Sequence, residues 1–154
     1  MVSDRSNQAT ARSEAEISAL HEVELGIEHL HRAHGHLIAF HHSTGCAMNH
    51  LAAGEEHFRE TDYHAIADEI RDEYLPRGVI DGRESGDRGR WSYDVVETYE
   101  RVFLADIVDF WREVCETVAD GQRHVHERRQ EQEWKGRSRR DREHVAQRSR
   151  SADV

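Results

Sequence analysis

Lysine is almost missing. Of 21 basic residues only Lys135 is a lysine, and the other 20 are arginines. Proline occurs once, at Pro76, so only one position can end a helix by its ring alone. The two cysteines, Cys46 and Cys115, are too few for a disulfide framework, and a cytoplasmic protein with free thiols is expected. No apolar run reaches 18 residues, which excludes a membrane-spanning helix. The opening MVSDRSNQATARSE is polar and lacks the apolar segment of a secretion signal.

Charge stands where these are missing. Thirty-one acids against 21 bases give a formal charge of −10 over 154 residues, a length that fits one domain. Abundant acid with almost no lysine is the balance of a protein kept soluble at high salt by carboxylates, although an ordinary acidic protein shares it. The charge is uneven. Residues 1–120 hold 11 bases and 25 acids, and residues 121–154 hold 10 bases and 6 acids, so an acidic body carries a basic, arginine-rich tail.

Residues 1–12 are polar and are expected to be disordered. Ser13 and Glu16 fit a capping box, after which Leu20, Val23, Ile27, Leu30, His34, Leu37, His41, Thr44, Met48 and Leu51 alternate steps of three and four. That period of about 3.5 residues is the seam of a long helix beside a nearly parallel partner. A helix over 14–59 is predicted, about 70 Å long at 1.5 Å per residue, with Ser43–Gly45 the place where it would break. Thr61 or Asp62 caps a short helix over 62–75, ended by Pro76. The glycine-rich, charged stretch 76–91 is expected to be a mobile loop. A second long helix is predicted over 92–134, with Val96, Tyr99, Phe103, Ile107, Phe110, Val114 and Val118 as its apolar stripe. The expected fold is an all-α helical bundle over 13–134 followed by a disordered basic tail over 135–154. Apolar surface left over by two long helices and a short one predicts a homo-oligomer that completes the bundle.

Nine of the 13 histidines lie between His21 and Phe58. His34 and His41 fall on the apolar seam, where an imidazole without a partner costs roughly 1–3 kcal/mol. Asp106 and Glu113 on the third helix share their seven-residue spacing. An antiparallel register that sets His41 against Asp106 and His34 against Glu113 also sets Met48 against Tyr99 and Leu51 against Val96. Histidine–carboxylate pairs of this kind would fix register in a non-enzymatic binding or structural protein. A metal or cofactor is the alternative, with His31, His34, His41, Asp106 and Glu113 as ligands. The two seam histidines are about 10 Å apart along the axis, so one ion cannot join them, and each would need help from His31, Glu24, His57 or His64. Glu28–His31 has the Glu-x-x-His spacing of ferritin-like bundles and His64–Asp68 a hemerythrin-like spacing, but neither set is complete. His42, Cys46 and His50, at i, i+4 and i+8, form a second candidate for a soft transition metal. His21, His29 and His36 read as surface. Cys46 lacks a feature that would depress its thiol pKa, and Ser43 lacks a nucleophile elbow, so an enzyme is not expected. No cofactor is the default.

In the tail, Arg137, Arg139, Arg140 and Arg142 could neutralise phosphates of a nucleic acid. Interleaved acids, and Trp134 as the one stacking ring nearby, weigh against that partner.

GIEHLHRAHGHLIAFHH, DEYLPRG with RWSYDVVE, and RHVHERRQ together resemble a family of small uncharacterised helical proteins from halophilic archaea, across roughly residues 20–134. The resemblance implies a saline habitat and a single domain; it implies no activity.

Overall fold

A computed structural model describes residues 11–82, 88–138 and 140. The described residues are all-α, 80% helical with four helices and no strands. Helix α1 spans Glu14–Arg59. Helix α2 covers 64–74, α-helical over His64–Glu69 and π-wound over Ile70–Tyr74. Helix α3 covers 92–119, α-helical over Ser92–Thr98 and Ala105–Ala119 with a π-wound stretch at Tyr99–Leu104 between them. Helix α4 spans Val125–Arg137. None of these helices is long and apolar enough to cross a membrane. The expected disorder of residues 1–10 and most of the expected tail lie outside the described residues.

The start of α1 follows from its capping box. Ser13 N–H donates to Glu16 Oε2 (2.6 Å) and Glu16 N–H to Ser13 Oγ (3.2 Å), satisfying two donors that a helix start leaves free. Those bonds hold the Glu16 carboxyl below the usual carboxylate range. The helix does not break at Ser43–Gly45: it runs on through Thr44, whose Oγ1 donates to the Phe40 carbonyl (2.8 Å) and so satisfies its hydroxyl within the helix. Neither Thr61 nor Asp62 caps α2. Its N-cap is Tyr63, and Thr61 instead ties the connecting turn, accepting Tyr63 N–H (3.2 Å) and donating to the Phe58 carbonyl (2.7 Å).

The helix expected over 92–134 is divided. Asp120 (φ 49°), Gly121 (φ 76°) and His124 (φ 57°) take left-handed dihedrals that an α-helix cannot pass through. Gly121 N–H reaches back to the Cys115 carbonyl (3.0 Å), and Arg12 Nε donates to the Val118 carbonyl (3.1 Å), so orphan acceptors of α3 are met. A Cβ on Gly121 would lie 2.9 Å from Glu116 Oε1 as well as being strained at that φ. Gly121→Ala is therefore expected to destabilise the protein by about 1–2 kcal/mol in a denaturant titration. An unchanged midpoint would mean that the turn does not depend on this dihedral.

The ends of the 76–91 loop pair with each other. Ile80 and Arg90 exchange backbone bonds (3.2 and 3.1 Å), and Gly78 N–H meets the Arg88 carbonyl (2.7 Å). A Cβ on Gly89 (φ 92°) would sit 2.1 Å from the Ile80 carbonyl oxygen, so this approach requires glycine.

The chain groups into two compact units, Met1–Ile27 with Phe110–Val154, and Glu28–Asp109. In the first, Ile17, Leu20 and Ile27 are buried, as are Cys115 and Ala119. Burial, with the Glu24 charge added, pushes the Cys115 thiol up. In the second, Ala67, Ser92 and Leu104 are buried. The expected histidine register does not form there. His34 stacks on Tyr99 (centroids 5.9 Å apart), and His41 Nδ1 lies 2.8 Å from Ser92 Oγ. Each of these partners is fourteen residues earlier in α3 than the carboxylate expected. The pairing is still antiparallel, displaced by two heptads. Faces two heptads apart are equivalent in a seven-residue pattern, so the pattern alone could not choose between them.

Candidate metal centre

His21 and Glu24 are three residues apart on α1 and so share one face. His124, His126 and Glu127 stand at the start of α4. The turn that divides α3 from α4 brings these two groups together. Its left-handed residue His124 directs its backbone N–H to Glu24 Oε1 (2.7 Å), placing a carboxylate at the positive end of α4. Further along α4, Arg129 pairs with Glu14, holding the Glu14 carboxyl below its usual range through a side-chain bond and its charge. Arg12 with Asp120 (3.2 Å) and Gln122 (3.3 Å) ties the turn from the other side. Arg123, next to His124, sits over the Trp111 ring at 4.5 Å.

The polar atoms so assembled are not satisfied by each other. The His21 and His126 rings stack with centroids 4.2 Å apart. His21 Nδ1 lies 3.0 Å from Glu127 Oε1, yet without hydrogen-bond alignment. His124 Nδ1 is 4.0 Å from Glu24 Oε2. Glu24 is only 6% exposed, and its Oε2 is buried without a hydrogen-bond partner; so are His21 Nδ1 and His126 Nδ1. A buried carboxylate oxygen in this state costs free energy unless a cation meets it. Two overlapping sets of ligand atoms, His21/His126/Glu127 and Glu24/His124/Glu127, each lie within 4.8 Å of one another. Imidazole nitrogens and carboxylate oxygens at that spread can close on an ion with bonds of about 2.0–2.2 Å after small side-chain rotations.

Sequence reasoning pointed elsewhere. Neither converging set includes His31, His34, His41, Asp106 or Glu113. His31, Asp106 and Glu113 are exposed, while His34 and His41 are half-buried against Tyr99 and Ser92. His41 lines a cavity of about 290 Å³ with Met48, Val79 and Trp91, where its bond to Ser92 anchors the first turn of α3. His42, Cys46 and His50 are all exposed on α1 and lie outside both sets. Arg137 and Arg140 are exposed, while Arg139 and Arg142 lie outside the described residues. His21 had read as surface, Glu24 as an auxiliary ligand, and His124, His126 and Glu127 as no site at all. Two signals were present: His21-x-x-Glu24 flanked by core positions Leu20 and Ile27, and His124-x-His126-Glu127 directly after Asp120–Gly121.

No protein-family description, curated protein or solved structure matches the chain.

Proposed function

We propose that the chain is a metal-binding helical protein that takes up a divalent transition metal between α1 and the start of α4. One observation carries this reading: Glu24 Oε2, His21 Nδ1 and His126 Nδ1 are buried, lack hydrogen-bond partners and belong to one cluster. The mixed imidazole–carboxylate set suits zinc, iron or nickel better than a soft ion such as copper(I). The reading is one of binding and not of catalysis. The competing role, register-fixing by histidine–carboxylate pairs alone, needs no ligand and leaves these three atoms unsatisfied.

Elemental analysis separates the two. Protein prepared without a histidine tag and dialysed against zinc is expected to retain stoichiometric metal. Glu24→Gln combined with His126→Ala is expected to weaken retention by at least about 100-fold, beyond the 10–100-fold typical of outer-shell changes. Wild-type protein that emerges free of metal would overturn the reading.

A second observation favours self-association. In the Glu28–Asp109 unit, Phe40, Leu51, Val102 and Phe103 remain 42–58% exposed. Large exposed apolar side chains in such number fit a surface covered by a second copy. Light scattering of the full chain is expected to give a dimer mass or larger, and a monomer at all concentrations would exclude it.

A further inference from the structure

We propose that the centre is dinuclear, with the Glu127 carboxylate bridging two divalent cations. His21 and His126 complete one site, and Glu24 and His124 the other. This inference rests on the metal-binding reading above and adds stoichiometry, bridge and ligand division to it.

Two features of the geometry point to a pair of ions. First, Glu127 belongs to both ligand sets, while the remaining four residues divide cleanly between them. A single ion would gather the histidines and both carboxylates into one convergent set. Second, each half has its own unsatisfied buried atoms: His21 Nδ1 and His126 Nδ1 in one, Glu24 Oε2 in the other. One ion placed between the stacked imidazoles would answer the first half and leave the buried carboxylate oxygen of Glu24 unmet. Glu24 is more than nine-tenths buried, and its other oxygen is already engaged by the His124 amide.

The chemistry of the bridge is consistent with its position. Glu127 is 46% exposed on its side chain, with Oε1 3.0 Å from His21 Nδ1, so one oxygen faces the His21/His126 half and the other can turn to a second ion. Paired cations of this type stand about 3.5–4 Å apart, a span that one carboxylate can bridge. Each ion would have three protein donors, counting Glu127 twice. Three donors fall short of the four that close a structural zinc site, so each ion keeps a position for water or an external anion. The centre is therefore expected to hold exchangeable water, unlike a purely structural site.

The test uses full-length protein loaded with manganese(II), followed by metal analysis, electron paramagnetic resonance and water-proton relaxation. The expected result is two manganese ions per chain, a spin-coupled spectrum and enhanced relaxation from bound water. His126→Ala and Glu24→Gln, checked for folding by circular dichroism, should each retain one ion with an uncoupled spectrum. Glu127→Ala should lose the coupled spectrum and weaken both sites. One ion per chain in the wild type, removed by any of these variants, would overturn the bridge and leave a mononuclear site. Two uncoupled ions that survive Glu127→Ala would also overturn it. No bound manganese, and no zinc under the same conditions, would remove the metal-binding reading as well.

Discussion

Zinc at a hundredfold its dissociation constant is expected to raise the free energy of unfolding by about 2.7 kcal/mol for each site it fills. The size follows from where the ligands lie in the chain. His21 and Glu24 are about a hundred residues from His124, His126 and Glu127, so an unfolded chain does not hold them together. Binding that requires the folded state is folding free energy. The neighbouring His124 and His126 retain some affinity in the unfolded chain, which lowers the gain rather than cancelling it. Glu24→Gln should separate metal from packing because the two effects have opposite signs. Without metal, the substitution removes a buried charge while keeping an oxygen for the His124 amide, so apo stability should hold or rise. With zinc, the gain from the site that Glu24 completes should vanish, while that from the His21/His126 site remains. Denaturant titrations of both proteins with zinc and with a chelator measure all four values. An equal zinc response in Glu24→Gln would show that the ion binds elsewhere.

The fold was legible where local chemistry decides it. The Ser13–Glu16 capping box and the unbroken α1 both follow from side chains within a turn or two of the feature. The burial of α3 was legible only up to Tyr99. The expected stripe ran through Phe103, Phe110, Val114 and Val118. The structure buries Leu104, Cys115 and Ala119 and leaves Phe103 and Phe110 exposed. The π-wound stretch at Tyr99–Leu104 accounts for this shift of one residue, because a wider turn rotates everything after it relative to a 3.6-residue pattern. Apolar spacing carries no sign of such a turn.

The centre was hidden for a related reason. A search along seams finds histidines that replace leucine, such as His34 and His41. The five residues of the centre lie where α1 meets a turn, and their proximity depends on the left-handed dihedrals at Asp120, Gly121 and His124. Asp and Gly in sequence do announce a turn. The amphipathic stretch before it favours a continuous helix, and a continuous helix would not bring these residues together.

His124→Gly is expected to weaken metal binding at the site shared with Glu24 by at least about 100-fold while leaving the metal-free protein as stable or up to about 1 kcal/mol more stable. Histidine at φ 57° is under steric load, since a left-handed residue with a Cβ costs roughly 1–2 kcal/mol relative to the right-handed form. Glycine removes that load at the expense of greater freedom in the unfolded chain, about 0.5–1 kcal/mol. The bond to Glu24 Oε1 comes from the backbone N–H and survives the change. What disappears is the imidazole, whose Nδ1 stands 4.0 Å from Glu24 Oε2. If fold alone required position 124, glycine would serve it at least as well as histidine, so the strained side chain is consistent with a use for the imidazole beside Glu24. Isothermal titration with zinc and a chemical melt of the apo protein read the two quantities independently. Unchanged affinity would remove His124 from the centre, and a large loss of apo stability would mean that the ring itself holds α4 against α1.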